Sequence, residues 1–349
     1  MRALAILTVR NEAAFLLEWL AHHQAVGLTD FLVFSNDCTD GTDALLDRLA
    51  ALGHLVHLRN DGPYDKGGIQ FTALKAAAKT DLLQQADWIL PLDVDEFVNI
   101  HVGDRTLPAL LAALPEATAI TLTWRLFGSA GKVRYADAPV TETFTRCAPK
   151  VLYWPWRAAM FKTLYRNDGT YRRPGVHRPR DPDRNALDTA RWYDGHGRAL
   201  PDFFRTKRIF STYGRDNYGL AQINHYPLGA VESYVLKADR GRAVHSDDML
   251  DADYWIERNF NTDVDDTITG LSPAMRANLA ALKADPEVAG LHDDAVAWRK
   301  SRFDELMLQE PFRALFGRLL LAGPTRPVPL AAAQFMSAYA RRSRRAEDE

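Results

Sequence analysis

This chain of 349 residues has few cysteines, no large excess of either sign of charge and no long apolar runs. Its two cysteines, Cys38 and Cys147, are too few for a disulfide framework and lack the spacing of a metal site. A reducing, cytoplasmic compartment is therefore expected. No uninterrupted apolar segment approaches the ~20 residues that a membrane-spanning helix requires. The formal net charge of -2 provides no general attraction to nucleic acid or to anionic lipid.

What remains is an ordinary globular composition with 47% hydrophobic and 25% charged residues. Short apolar runs alternate with segments of helical periodicity from the N-terminus onward. Strands are predicted at residues 3–9, 30–34, 55–58 and 88–92, and helices at 11–26, 43–52 and 66–85. Strands that alternate with helices at this spacing predict an α/β fold with a doubly wound, mostly parallel sheet.

The apolar strand that begins at Trp88 ends in three carboxylates, Asp93, Asp95 and Glu96. Open α/β sheets bind ligands at the carboxyl ends of their strands. In an extended chain Asp93 and Asp95 project to the same side, and two adjacent carboxylates favour a hard divalent cation such as Mg²⁺ or Mn²⁺. A solvated acidic turn after a strand is the alternative that this short pattern leaves open.

The order of several motifs resembles that of GT-A glycosyltransferases of the family 2 type, particularly the branch related to family 92. The resemblance is close over residues 4–100 and looser to about 245. The motifs that carry it are Thr8 to Glu12, Glu18-Trp19 with His22-His23 and Gly27, the turn Asn36 to Thr42, and Asp93 to Phe97.

This resemblance implies transfer of a sugar from a nucleotide-sugar, a UDP- or GDP-sugar, to an acceptor hydroxyl, usually with inversion. In similar enzymes the second Asp of the Asp-x-Asp motif, here Asp95, contacts Mn²⁺ or Mg²⁺. The first, here Asp93, contacts ribose or reaches the metal through water. The resemblance implies surface glycan or polysaccharide synthesis as the setting, with a carbohydrate or lipid-linked acceptor.

Base and ribose are expected at the ends of the first two strands. The candidates are Thr8, Arg10, Glu12, Asn36 and Asp40. The commonest family pattern has Asp-Asp where this chain has Ser35-Asn36, which leaves the donor base open. Glu12 could instead favour a helix N-terminus by its charge, and Asp40 could be a turn residue.

The second half offers fewer patterns, and the polar residues 128–148 are expected to form a loop. An inverting transferase needs a carboxylate base near the acceptor hydroxyl, and Glu142 is the candidate, with a surface acid that has no catalytic role as the alternative. Enzymes of this fold often recruit a late His as a further metal ligand, for which His225 is preferred over His177. Lys237 and Arg240 follow His225 and share one face of a predicted helix, from which they could meet a diphosphate. A solvated basic face is the alternative.

The predicted domains are a GT-A domain at 1–245 and a helical extension at 246–349, with helices near 273–283 and 293–309. The extension ends in a run of arginines at 341–345, where peripheral contact with anionic lipid at the inner face of the membrane is one expectation and a frayed terminus the other.

Two other functions stay open. A phosphatase of the haloacid-dehalogenase type also uses Asp-x-Asp, but it requires Thr where this chain has Phe97. A non-catalytic nucleotide- or carbohydrate-binding protein would keep the same binding residues.

Overall fold

The computed structural model describes residues 1–64, 67–212, 214–241 and 251–347. Lys66, where the third predicted helix begins, and the predicted domain boundary at 245/246 lie outside these ranges. The strands are β1 Ala3–Val9, β2 Asp30–Ser35, β3 Val56–Arg59, β4 Trp88–Leu92, β5 Glu96–Ile100, β6 Ala119–Leu126, β7 Arg146–Cys147, β8 Phe161–Arg166, β9 Tyr171–Arg173, β10 Arg180–Pro182, β11 Trp192–Asp194, β12 Ala221–His225 and β13 Asp263–Val264.

The α-helices lie between these strands and after the last of them. They are α1 Ala13–Val26, α2 Thr42–Ala51, α3 Ile69–Ala77, α4 Asp81–Gln84, α5 Leu107–Ala113, α6 Val140–Thr143, α7 Arg184–Leu187, α8 Val231–Arg240, α9 Ala252–Ile256, α10 Ser272–Lys283, α11 Pro286–Met307, α12 Glu310–Leu321 and α13 Leu330–Glu347.

One sheet of nine strands, counted among the described residues, organises the fold. Its order is β3-β2-β1-β4-β8-β6-β12-β5, and β11 also pairs with β6. The pairs among β3, β2, β1 and β4 are parallel, whereas β8 and β5 run antiparallel to their neighbours. Because β1, β2 and β4 are parallel neighbours, the loops that follow them meet at one edge of the sheet.

Alternation along β1 sends side chains into two cores, one on each face of the sheet. Leu7 lies in the core under α1 and α2, whereas Ile6 lies in the core under α3. Helix α1 ends at Gly27, whose φ of 99° only glycine adopts readily, and the amide of Leu28 closes the end by donating to the carbonyl oxygen of His23. Helices on both faces confirm the predicted doubly wound α/β class.

The C-terminal helices are part of the same core. Met275 of α10 and Val288 of α11 are buried beside the residues of α1 and α2. A buried ion pair also ties the extension to β6, since Arg125 Nη1 lies 2.7 Å from Asp265 Oδ2. The helical extension is therefore confirmed, and it shares the core of the first 245 residues.

Three elements differ from the sequence-based expectations. The predicted helix at 66–85 is two helices, because Thr80 caps α4 by accepting from the amide of Leu83. Strand β5 was not predicted, since its five residues follow the acidic motif directly. The segment 128–148, expected to be a loop, contains α6 and β7. No helix among the described residues has the length and apolarity to cross a membrane.

Candidate active site

The acidic turn after β4 is held by hydrogen bonds from α1 and by one hydrogen bond within the turn. The indole Nε1 of Trp19, on α1, donates to the carbonyl oxygens of Asp93 and Glu96 at 3.2 Å each. Inside the turn, the amide of Asp93 donates to Glu96 Oε2 at 2.9 Å. The turn therefore presents its carboxylates in a fixed arrangement.

Asp93 points toward residues of β8 and α3. The ammonium of Lys162, a buried residue of β8, lies 3.0 Å from Asp93 Oδ2, and Gln70 Nε2 donates to Asp93 Oδ1 at 2.6 Å. Burial lowers the pKa of Lys162, but the charges of Asp93 and Glu96 outweigh it and hold the pKa above its ordinary value. Asp93 therefore faces a permanent internal cation.

Glu96 is fully buried beside the same lysine. Its carboxylate accepts from Trp124 Nε1 at 2.6 Å and lies 3.3 Å from Lys162 Nζ. Burial raises the pKa of Glu96 to about 8, an effect that Lys162 opposes and the charge of Asp93 reinforces. Glu96 supports the turn from beneath and faces the protein interior.

Asp95 lies between a lysine and a histidine. Lys237 Nζ, on α8, is 2.6 Å from Asp95 Oδ2, and His225 Nε2, at the end of β12, is 3.6 Å from Asp95 Oδ1. The antiparallel register of β12 and β5 places His225 opposite Glu96 and so beside Asp95. Although burial raises the pKa of Asp95, the charge of Lys237 and hydrogen bonding hold it well below its ordinary value.

Helix α8 connects the acidic turn with the loop that follows β1. One turn after Lys237, the guanidinium of Arg240 pairs with Glu12 and donates to the carbonyl oxygen of Arg10 at 2.9 Å. The predicted helical face is therefore present, with one cation at each of two neighbouring strand ends. Both cations are paired and neither is a freely solvated charge.

The other predicted donor residues lie at the same edge of the sheet with different surroundings. Asn36 is buried at the end of β2, and its Oδ1 has no hydrogen-bond partner among the described residues. Asp40 accepts from the amides of Ala13 and Thr42, so its carboxylate caps the starts of α1 and α2. Thr8 is half-buried at the end of β1.

We tested the predicted metal ligands Asp93, Asp95, His177 and His225 on their geometry. Across the described ranges, no cluster of three or more His, Cys, Asp or Glu side chains is arranged to hold an ion. Asp93 is occupied by Lys162 and Gln70, and His177 Nδ1 lies 3.0 Å from the carbonyl oxygen of Phe161. Asp95 is also paired, with Lys237, but it lies beside His225, so these two are the adjacent pair among the four predicted ligands.

The pair of Asp95 and His225 does suit a divalent ion. It offers one carboxylate and one imidazole, and burial lowers the pKa of His225, which favours the neutral ring that a metal requires. Mg²⁺ is commonly held by one or two carboxylates together with substrate phosphates. Two protein ligands are therefore compatible with Mn²⁺ or Mg²⁺ in the presence of a diphosphate.

Glu142, the predicted catalytic base, is paired with an arginine in the structure. The structure places it on α6, where both carboxylate oxygens accept from Arg276 of α10. This hydrogen bonding lowers the pKa of Glu142 and makes it a weaker base. The geometry gives no support to its predicted role in deprotonating the acceptor.

A cavity of about 270 Å³ opens beside Asp95 and Lys237. Its walls come from α1, the acidic turn, the segment 132–144, α8 and α11. Apolar side chains such as Phe15, Leu236 and Trp298 line it together with several charged groups. A concave, partly apolar site with convergent polar groups is the usual form of a substrate pocket.

Sequence reasoning missed Lys162, Gln70, Trp124 and Arg299. The one signal available was Lys162 itself, a lysine within the run Phe161 to Tyr165 that reads as a buried strand. A lysine inside such a run requires an internal carboxylate, which the acidic motif supplies.

The chain is similar in sequence to curated plant proteins over part of its length. It is 26% identical over 143 residues to a glycosyltransferase family 92 protein of Oryza sativa subsp. japonica, covering 39% of this chain and 23% of that protein. A family 92 protein of Ricinus communis is 26% identical over 148 residues, covering 39% and 24%. The chain therefore spans about a quarter of the length of these relatives. No family model matches the chain.

Solved structures align with this fold at low TM-scores. Residues 1–349 of S. aureus TarS in complex with UDP-GlcNAc align at 14% identity and a TM-score of 0.33, covering 92% of this chain and 89% of that one. Glucosyl-3-phosphoglycerate synthase from Mycobacterium tuberculosis, in complex with Mn²⁺, UDP and its product, aligns at 18% identity and 0.25, covering 36% and 44%. The predicted resemblance to the glycosyltransferase family 92 branch is confirmed by the curated relatives, over about two fifths of the chain.

Proposed function

We propose that the protein is a glycosyltransferase that moves a sugar from a nucleotide-sugar to an acceptor hydroxyl. The observation that carries the proposal is the group of Asp95, His225 and Lys237 at the carboxyl edge of the sheet, beside a cavity. The sequence similarity to family 92 glycosyltransferases supports the same reaction class. Inversion and a role in surface glycan or polysaccharide synthesis belong to this proposal and rest on the family resemblance alone.

The donor diphosphate is assigned to the ammonium of Lys237. A nucleoside diphosphate leaves only when its developing negative charge is stabilised, and preorganised cations in a partly buried site do this well. The charge of Asp95 outweighs burial and keeps the pKa of Lys237 above its ordinary value, so the ammonium stays charged. Arg240 is fixed one turn away by Glu12 and extends the positive face toward the β1 loop.

Asp95 and His225 would hold the Mn²⁺ or Mg²⁺ that the family resemblance implies. Such an ion supplies Lewis-acid stabilisation of the leaving diphosphate. Asp93 has a different task, because its carboxylate orients Gln70 and neutralises Lys162. Asn36, with its unpartnered buried oxygen, and Arg10, whose Nε is likewise without a partner among the described residues, are assigned to the nucleoside.

The test is release of free nucleoside diphosphate from UDP- and GDP-sugars, with Mn²⁺ and with a chelator. Lys237→Ala should bind UDP or GDP at least about tenfold more weakly, since charge-assisted bonds contribute roughly 1.5–3 kcal/mol each. Binding of the monophosphate should change less. Lys79→Ala, at an exposed lysine outside the cavity lining, is the control. Turnover of no nucleotide-sugar by the unmodified protein, or equal diphosphate binding by Lys237→Ala, contradicts the proposal.

We extend the proposal to a peripheral membrane contact through α13, next to which a lipid-linked acceptor would lie. Several apolar side chains of this helix are exposed, among them Phe335 and Tyr339 at 64% and 55%. An arginine-rich sequence at 341–345 follows them. Exposed aromatic and basic residues on one helix are typical of segments that lie on an anionic membrane surface.

A further inference from the structure

The cavity beside Asp95 contains a buried arginine that the donor site does not use. Arg299 of α11 is 6% exposed, and its guanidinium lies against two aromatic rings that also contact each other edge to face. Its Cζ is 4.5 Å from the ring centre of Phe15 and 4.9 Å from that of Tyr135. All three residues line the cavity.

No carboxylate among the described residues forms an ion pair with Arg299, and its Nε is buried without a hydrogen-bond partner. The acids that line the cavity have other partners: Asp95 pairs with Lys237, Glu12 with Arg240, and Asp239 with Arg302. Lys132 and Arg134 also line the cavity and are exposed. The cavity thus has five cationic and three acidic side chains in its lining, and the acids are already paired.

Burying an unpaired guanidinium costs free energy, because water no longer solvates it. Cation–π contacts with Phe15 and Tyr135 offset part of this cost, and the charge of Glu12 attracts Arg299 at longer range while Arg240 repels it. A planar guanidinium held against two rings is suited to bidentate binding of a carboxylate or a phosphate. The arrangement is complementary to an anion that arrives with a ligand.

We propose that Arg299 binds a carboxylate or phosphate group of the acceptor, so that the acceptor substrate is an anionic molecule. This inference rests on the proposed function. A second cavity of about 450 Å³ shares Arg299, Tyr135 and Arg134 with the first, whereas Asp95 and Lys237 line only the first. Arg299 therefore lies where a molecule that reaches from the donor end into the second cavity would pass. The donor diphosphate has its own partner in Lys237.

The experiment is a calorimetric titration of the full chain saturated with UDP or GDP, using inorganic phosphate, D-glucuronate and neutral D-glucose as probes. We expect the unmodified protein to bind phosphate or glucuronate more tightly than glucose. Arg299→Met keeps an unbranched apolar side chain against the two rings and removes the charge, so it should weaken binding of the anion at least about tenfold. Arg299→Lys keeps the charge but loses the planar guanidinium, so its affinity for the anion should lie between those of the unmodified protein and Arg299→Met.

Arg318→Met, at an exposed arginine of α12 outside both cavities, is the matched control and should bind as the unmodified protein does. Thermal unfolding of Arg299→Met should stay at or above the unmodified midpoint, because the variant removes a buried charge. If Arg299→Met does not fold, an unchanged anion affinity in Arg299→Lys overturns the proposal by itself.

Three further results would overturn it: no anion bound by the loaded protein, equal anion affinity in Arg299→Met, or loss of UDP and GDP affinity in that variant, which would assign Arg299 to the donor. If no nucleotide-sugar is bound or turned over by the unmodified protein, the proposed function fails. Titrating phosphate into the unloaded protein and into Arg299→Met then still decides whether Arg299 binds an anion. If it does, Arg299 is an anion site, but the anion is not part of a glycosyl acceptor.

Discussion

At the residue scale, two lysines decide what the acidic turn can do. Lys162 is buried between Asp93 and Glu96, and the charge of Asp93 neutralises this internal cation. Lys237 reaches Asp95 from the partly exposed side, where Asp95 remains about a quarter exposed. Two aspartates only two residues apart therefore differ in their surroundings, since Asp93 pairs with a fully buried lysine and Asp95 lines the cavity beside Lys237.

His225 and His177 also differ in their neighbours, and this difference predicts which of them binds a metal ion. His225 lies beside Asp95, whereas His177 is bound to the carbonyl oxygen of Phe161, and burial lowers its pKa to about 4. We expect His225→Ala to weaken Mn²⁺ binding in the presence of UDP or GDP by about tenfold or more. His177→Ala should have a smaller effect. Calorimetric Mn²⁺ titration measures both, with thermal unfolding to verify the fold, and the reverse ranking would identify His177 as the ligand.

At the element scale, α13 exposes several apolar side chains close to its arginine-rich end. Phe335 and Tyr339 are four residues apart, with ring centres 5.0 Å from each other. Arg342 lies over the ring of Tyr339 at 5.4 Å. A membrane surface would cover these rings and attract the arginines that follow.

We therefore expect the full chain to bind vesicles that contain anionic lipid more tightly than neutral vesicles. Replacing Phe335 and Tyr339 together by Ser should reduce this binding at least about tenfold, because burying an aromatic side chain contributes about 1.5–3 kcal/mol. Leu308→Ser, at a leucine that is 82% exposed at the end of α11, is the control. Co-sedimentation is the measurement, and equal binding by the double variant and the unmodified protein would exclude α13 as the contact.

At the scale of the whole molecule, the extension and the sheet pack as one unit around a shared core. Helix α10 packs along α1 within the core, and Asn278 of α10 donates to the carbonyl oxygen of Ala21 at 3.0 Å. Helix α11 supplies Trp298 and Arg299 to the cavity beside Asp95. The site thus depends on segments from both ends of the chain.

A buried acid in this unit predicts how stability responds to pH. Burial raises the pKa of Glu18 to about 7, although its carboxylate accepts from the amides of Val140 and Thr141. The folded protein therefore holds this proton at pH values where the unfolded chain, with a pKa near 4.5, has lost it. The contribution of Glu18 is complete below about pH 4.5 and is lost as the pH rises through 7.

We expect the free energy of unfolding of the unmodified protein, relative to Glu18→Gln, to fall by about 3 kcal/mol between pH 4.5 and 7.5. Subtracting the variant removes the opposite trend from His22, whose pKa burial lowers to about 4 and whose effect increases stability as the pH rises toward 6.5. Urea denaturation across this range measures the difference. Glu305→Gln, at an exposed glutamate, is the control, and parallel curves for Glu18→Gln and the unmodified protein would refute the assignment.

The sequence by itself determined the alternation of strands and helices from β1 to β4, the acidic motif at the end of β4, and the resemblance that connects them. These are local patterns, because apolar periodicity and turn residues act over a few positions. It also favoured His225 over His177 as the candidate metal ligand, and it predicted that Lys237 and Arg240 lie on one helix.

Only the tertiary structure decided which charges meet. The register of β12 against β5 places His225 beside Asp95, and the antiparallel entry of β8 brings Lys162 under Asp93, although 69 residues separate the two in the chain. Likewise, Glu142 pairs with Arg276 across 134 residues, while Arg299 has no carboxylate partner in the described ranges. Electrostatic partners are set by distance in space, and spacing along the chain carries no record of contacts between elements that meet only when the sheet and its helices pack.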